Sequence, residues 1–524
     1  MGNEEPDGTV REDESIGLAI SGGGLRATLF SLGVVLYLSN SGANKRIRLI
    51  SSVSGGSITN AILALLGDFS KASPERVKTV IGRAARRIAN EGTFFLPGRA
   101  FWIGLSVSYF VAIAILLALP MFDEMSTRER WSLVQSSWWL PPVIVAAFVL
   151  YMLGVFMLGR KGSQITAYSS FLVEVFKDDK APRKQRNARA KEIRQMRLSS
   201  LPDHDIQHVF CATELVSGRP FYMSARRLTS PAFGSCEANI PLNQAIYASA
   251  AFPGVFPPLR LGTRKLGLRG GEEPIRPGTL VLADGGVYNN LGTDWFEDST
   301  RPLSMIHDFG ETVPVSQKII VNASAPRRIK RIFGWWPASN LQSLMRIFGV
   351  MYENTVTPRL DALRTAADEG HVAVVDIAFS TGSMARAMCG SPDAGTKGRA
   401  KALAHRLGES SLSGYLDKIA VGSSGTRTKL SRIGEPATVQ LLIHGYMSAL
   451  VVCHAKLGTP ATEIPDRGWF EDLVRPPRDN VLVDSAAPPE VQPAEQLPLQ
   501  SPPKESAVHD EDGAAEPGEL VQRA

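Results

Sequence analysis

Two clusters of small residues near the start of this 524-residue chain, and one acidic turn far downstream, have the residue types that acyl transfer requires. Ser21-Gly22-Gly23-Gly24-Leu25-Arg26 follows a short apolar run, Ile16 to Ile20, and precedes a helical pattern through Leu25, Leu29, Leu32, Val35 and Leu36. That pattern is a strand, a tight glycine turn and a helix. Glycines permit the conformations in which successive N–H groups point at one anion, and the helix N-terminus adds its positive end. The guest of such a loop is an oxyanion or a phosphate. Arg48 to Val53 reads as a second strand, and Ser54-Gly55-Gly56 turns sharply into a helix beginning near Ile58. A serine on such an elbow is exposed, with the following backbone N–H nearby. Much later, Asp284-Gly285-Gly286 places a carboxylate in another glycine turn. In this order the three segments describe an oxyanion hole (Gly22, Gly23, Gly24), a serine nucleophile (Ser54) and a carboxylate base (Asp284).

Rival chemistries find less support. Gly22-x-Gly24-x-x-Ala27 matches a loose dinucleotide fingerprint, but the second strand ends in serines and glycines instead of the acidic residue that ribose binding needs. No Walker lysine follows the glycines. His307, His371, His405, His444 and His454 all come after Asp284, in the order of a Ser-Asp-His triad, yet none sits in a recognisable context. Cys211, Cys236, Cys389 and Cys453 have neither metal-ligand spacing nor a disulfide-dense pattern, and read as buried thiols in a reducing compartment. No metal and no cofactor is expected.

The elements that would carry these groups belong to a chain of ordinary globular composition, 44% apolar, with a formal charge of +6. The charge is unevenly spread. Arg478 to Ala524 holds three basic and ten acidic residues, which leaves +13 on the rest. A basic body suits an anionic surface. No nucleic-acid motif is present, and two apolar segments favour a membrane. Phe101 to Met121 is uncharged over one bilayer's helical length, and after a polar link (Asp123 to Arg130) so is Trp131 to Gly159. Neither shows the polar stripe of a core helix, so together they read as a transmembrane hairpin. Trp102, Trp131, Trp138 and Trp139 sit near the water boundaries. Arg83, Arg86, Arg87 and Arg99 precede the hairpin, and Arg160 and Lys161 follow it, so both flanks are expected on the cytoplasmic side. Arg183 to Arg197 is dense in cations, as a contact for anionic head groups or as a solvated helix face. Arg327 to Trp336 mixes cations and aromatics as an interfacial loop or a surface turn. Residues 1–14 are polar and acidic, without the pattern of a secretory signal or of myristoylation. Beyond Arg475 the composition is that of a disordered tail.

The motifs also carry a resemblance. The chain is similar to the patatin-like phospholipase family, with Gly-Gly-Gly-Leu-Arg-Ala leaning toward the related cytosolic phospholipases. Val209 to Glu214 with Gly218-Arg219-Pro220 resembles a strand and turn of that family. Ala245 to Pro253 with Phe256-Pro257-Pro258 resembles another of its segments, and Leu282 to Asn290 resembles the one holding its catalytic aspartate. The resemblance spans roughly residues 15–100 and 160–330. It implies an α/β fold, a patatin-like mixed-sheet sandwich with helices on both faces, here interrupted by the hairpin. It also implies that Ser54 attacks the ester carbonyl and that Asp284 serves as its base without histidine. Gly22, Gly23 and Gly24 would then donate to the oxyanion, and Arg26 would orient their loop or meet a phosphate head group. Two departures stand out: Ser52 where the elbow usually has glycine, and Ala27 where many patatins have one.

The expected organisation is a polar segment (1–14), a catalytic first part (15–98), the hairpin (99–161), a catalytic second part (162–330), a helical C-terminal part completing or covering the core (331–475) and the acidic tail (476–524). The expected activity is a membrane-anchored acyl hydrolase acting on glycerophospholipids at the cytoplasmic leaflet, with the phospholipid membrane as its partner and no nucleic acid. A non-catalytic patatin-fold scaffold or lipid-binding protein, and a lipid acyltransferase using the same dyad, are the alternatives.

Overall fold

The computed structural model describes residues 15–93, 161–201, 205–253, 256–273, 277–294, 315–324, 350, 354, 356–365, 371–428 and 430–475. The expected hairpin, the segments 1–14 and 476–524, and the cation-aromatic stretch 327–336 lie outside the described residues, as does His307.

Among the described residues ten strands form one mixed sheet. β1 (Ile16–Ile20) lies at its centre, flanked in parallel by β2 (Ile47–Val53) and β9 (Gln317–Asn322). β10 (Val372–Asp376) extends the parallel half beyond β9. On the other side β3 (Gln207–Glu214) runs parallel to β2. An antiparallel meander follows, β4 (Arg219–Ser224), β5 (Arg227–Ser230) and β6 (Gly234–Glu237). β7 (Leu259–Gly262) pairs antiparallel with β8 (Thr279–Asp284), which joins the end of β3. This is the α/β mixed-sheet fold the resemblance implied.

Side chains alternate along the central strands between two buried faces. Ile16, Leu18 and Ile20 enter one apolar cluster with Ile319 and Val321, whereas Ala19, Leu49, Val53 and Ile320 enter the other. The first face is covered by α1 (Gly24–Asn40), α2 (Gly55–Leu66) and α3 (Pro74–Asn90). Later helices, α4 (Lys161–Val175), α5 (Arg183–Gln195), α6 (Leu242–Ser249) and α7 (Glu435–Leu457), complete the body. Leu363 from the helical residues 356–365 packs on the second face. The region 331–475, expected to be helical, thus also supplies an edge strand. The reason is not local: Val372-Ala373-Val374-Val375 is a short apolar run without alternation, and such a run takes its secondary structure from the neighbour it finds, here β9.

α7 has the length and apolarity of a membrane span, but it is mostly buried inside the body. It packs along α1, and the two backbones meet where glycines allow it. A Cβ on Gly33 would stand 2.3 Å from the Leu442 carbonyl oxygen, and one on Gly445 would overlap that of Phe30. α7 also carries His444, whose Nε2 lies 2.9 Å from the Phe379 carbonyl oxygen and therefore holds the proton. Burial pushes this imidazole down to about 4, and the Phe379 carbonyl offsets only part of that. The folded state keeps the ring neutral, while an unfolded chain protonates it below about 6.5. Stability is therefore fully present above pH 6.5 and is lost as pH falls toward 4. Between pH 7 and pH 5 this one group should cost about 2 kcal/mol. Urea unfolding at the two pH values checks it: His444→Gln should lose less stability than wild type by that amount, and equal losses would remove His444 as the source.

Candidate active site

Ser54 sits between β2 and α2 with φ 51° and ψ −119°, and is the only non-glycine residue with positive φ among the described residues. Holding an ordinary residue there costs on the order of 1–3 kcal/mol, so the surroundings must over-determine the turn. They do so through a serine cluster. The Ser54 N–H donates to both the carbonyl and Oγ of Ser249, each at 3.1 Å. Ser249 Oγ in turn donates to the Cys211 carbonyl at 2.6 Å and lies 2.8 Å from Ser57 Oγ. Ser52 completes the cluster, donating to the Val209 carbonyl and accepting from Ser57 Oγ and Asn60 Nδ2. The departure at Ser52 is thus a buried hydrogen-bonding member of the elbow's support.

The glycine turn after β1 lies directly against this elbow. A Cβ on Gly55 would fall on the Gly24 carbonyl oxygen, and one on Gly22 would stand 3.1 Å from Ser54 Cβ. Gly55→Ala must separate the two loops, since backbone cannot yield as a flexible side chain does. We expect it to lower the melting temperature by several degrees, for an overpacking cost of about 1–3 kcal/mol. It should also reduce kcat more than KM, checked by calorimetry and steady-state kinetics.

Not all three glycines of that turn are equivalent. The Gly22 N–H donates to the Asn290 carbonyl at 3.0 Å, so its amide is already committed. The expectation of three oxyanion donors narrows to Gly23 and Gly24, at φ 142° and 60°, where α1 begins and its first amides have no intrahelical acceptor. Arg26, left between two roles by the sequence, is buried. Its Nε and Nη2 donate to the Ala323 carbonyl after β9, and its Nη1 donates to the Thr426 carbonyl. Burial lowers its pKa to about 10. The side chain ties the glycine turn to two distant segments, and the loop-orienting role is the one its contacts fit.

Asp284 ends β8 and is buried. Its Oδ1 accepts from the Gly286 N–H at 2.8 Å, its own N–H donates to the Ala251 carbonyl, and its carbonyl accepts from Thr213 Oγ1. Register brings it to the serine. β2 arrives on β3 in parallel with Val53 opposite Cys211, and β8 arrives antiparallel with Asp284 opposite Ala212. The two strands therefore end head to head on neighbouring residues of β3. The Ser249 carbonyl bridges them, accepting from Ser54 N–H and, at 3.2 Å, from Gly285 N–H. Tyr168, in α4, lies within electrostatic reach: burial, and then the Asp284 charge, push its phenol well above the ordinary range, so it stays protonated.

Among the described residues no histidine is hydrogen-bonded to Ser54 or Asp284. His208 pairs with Asn60, His444 with Phe379, His454 with Thr459, and His405 with Glu409 at the surface. The sequence reading missed Ser249, Asn290 and Tyr168. Ser249 lay inside a segment already singled out, Ala245 to Pro253, but nothing in that segment said which loops it would join.

A serine elbow, a buried aspartate and a glycine turn on adjacent strand ends now stand together, and the family comparison covers the same stretch. The patatin-like phospholipase model matches residues 18–296, from within β1 to just past the Asp284 turn. The chain belongs to the patatin-like phospholipase family. The match of this patatin-like phospholipase takes in Ser54, Asp284 and the segment between α3 and α4. β9, β10 and α7 lie beyond the matched residues. No curated protein matches the sequence. Of solved structures, VipD from Legionella pneumophila aligns over 64% of this chain and 53% of its own length, with 14% identity and a TM-score of 0.26. The chain thus spans about half of that structure, and at that TM-score the likeness carries no argument.

Proposed function

We propose that this patatin-like phospholipase releases fatty acids from glycerophospholipids through a Ser54–Asp284 dyad, and that it works anchored in the membrane. The observation that carries the reading is the strained Ser54 turn set head to head with Asp284 on β3 and flush against Gly22. In the first step Asp284 takes the proton from Ser54 Oγ as that oxygen bonds to the ester carbonyl carbon. The carbonyl electrons move onto oxygen, where the Gly23 and Gly24 amides receive them. Collapse expels the lysolipid alkoxide, which takes back the proton from Asp284 and leaves an acyl-Ser54. Water, deprotonated by the same aspartate, then repeats the sequence and frees the fatty acid.

Anchoring rests on Phe101 to Met121 and Trp131 to Gly159, whose length and lack of charge fit two spans. The described body supports an even number of crossings: α3, before the insertion, packs against α4, after it, and Arg83 Nη1 donates to the Lys177 carbonyl at 2.7 Å. With the flanking cations inside, the catalytic body faces the cytoplasmic leaflet.

The test is purified full chain on mixed phospholipid vesicles, with fatty acid and lysolipid read by mass spectrometry and Ser54 probed with a fluorophosphonate. Equimolar fatty acid and lysolipid together with a labelled Ser54 are expected. Label on another residue, or acyl groups recovered only on an added alcohol, would overturn hydrolysis by this dyad. Release of the protein from membranes by alkaline carbonate would overturn the anchor.

A further inference from the structure

A second concave site lies away from Ser54, at the opposite end of β8 from Asp284. It is a cavity of about 1190 Å³ between the end of α5, the β5–β6 hairpin and β7. Five cationic side chains line it, Arg197, Arg227, Arg260, Lys265 and Arg269, against the single carboxylate of Glu237. They come from three stretches of chain: Arg197 just after α5, Arg227 at the start of β5, and Arg260, Lys265 and Arg269 in β7 and the turn that follows it. Cations on a convex surface spread apart to lower their repulsion, whereas these converge on one hollow, which favours an anionic guest there.

The hollow is built from fixed backbone. Leu198 N–H donates to the Ile240 carbonyl, and Leu242 N–H to the Met196 carbonyl, closing one wall. Ser235 and Arg269 exchange both backbone hydrogen bonds at 2.9 Å, closing another. Gly234 makes that second wall achievable, because a Cβ there would overlap the Arg269 carbonyl oxygen. Arg197 is aimed by donating to the Asn239 carbonyl at 3.1 Å.

We propose that this cavity binds the polyphosphorylated head group of an anionic phospholipid, apart from the acyl ester cleaved at Ser54. Guanidinium forks match phosphate oxygens in pairs, and the volume far exceeds that of one phosphate. A lipid source is favoured by continuity. α5 carries six arginines and lysines against Glu192, buries only Ile193, and ends two residues before Arg197. The cationic surface of that helix therefore runs into the cavity, as a membrane-facing strip would. The proposal rests on the membrane-seated reading but not on the dyad.

Binding is measured on detergent-solubilised full-length Ser54→Ala protein, which separates this site from catalysis. The probes are dioctanoyl phosphatidylinositol bisphosphate, dioctanoyl phosphatidylcholine and soluble inositol trisphosphate, by calorimetry. The phosphorylated lipid should bind at least tenfold more tightly than phosphatidylcholine, which only the active site would take, and inositol trisphosphate should compete more weakly than the lipid. Arg260→Gln with Lys265→Gln should weaken the lipid at least tenfold without changing the melting temperature, since both side chains are exposed. A control pair, Arg183→Gln with Lys184→Gln, should weaken it far less. Unchanged affinity in the cavity variant, or equal losses in both variants, would overturn the site. Inositol trisphosphate binding as tightly as the lipid would overturn the lipid source in favour of a free polyphosphate.

Discussion

Ser54→Ala should remove phospholipid hydrolysis almost entirely, a fall in kcat of at least about 10⁴-fold, judged by serine hydrolases in which the nucleophile has been deleted. The substitution keeps Cβ and both backbone bonds to Ser249, so melting temperature and lipid binding should be unchanged. Residual hydrolysis within tenfold of wild type would sink Ser54 as nucleophile. A companion variant separates chemistry from strain. Ser54 holds φ 51° in a region that favours glycine, so Ser54→Gly should be as inactive as alanine yet more stable. The gain should be about 1–2 kcal/mol, or some 2–4 °C for a body of this size. A glycine variant that melts no higher than wild type would show that the turn stores no strain.

Asp284→Asn should be nearly as damaging, lowering kcat about 10³–10⁴-fold and slowing fluorophosphonate labelling of Ser54 in proportion. Asparagine can still accept from the Gly286 N–H through its Oδ1, so the turn survives and the loss reports on the missing base. The pH profile gives a second reading. A histidine base would lose half its activity near its ordinary pKa of about 6.5. Since among the described residues no histidine is hydrogen-bonded to Ser54 or Asp284, wild type should show no inflection there once the unfolding linked to His444 is subtracted. A profile that halves near pH 6.5 while the protein stays folded would return a histidine to the mechanism.

The parts of the site that were legible in the sequence are those whose physics is local. A triple glycine between an apolar run and a helical pattern has few conformations other than the turn observed before α1, and Ser54-Gly55-Gly56 after a strand likewise gives an elbow. The burial of Arg26 was not legible. Its partners are the carbonyls of Ala323 and Thr426, which lie 297 and 400 residues away in sequence, so composition could show a charge but not its acceptors. β10 was missed for a related reason, since four apolar residues acquire extended structure only when β9 offers its edge. Ser249 was quoted within a family segment without a role, because its function is to accept bonds from two loops at once.

The sequence by itself determined the chemical groups, the turn types that display them and the family to which they belong, because each depends on a handful of consecutive residues. Their assembly was decided by tertiary structure alone. Ser54 and Asp284 come to neighbouring strand ends because β2 and β8 end on adjacent residues of β3, and a strand's register is set by long-range pairing and burial rather than by anything within the strand. Tertiary structure likewise committed the Gly22 amide, which donates to the Asn290 carbonyl of a segment far away in sequence.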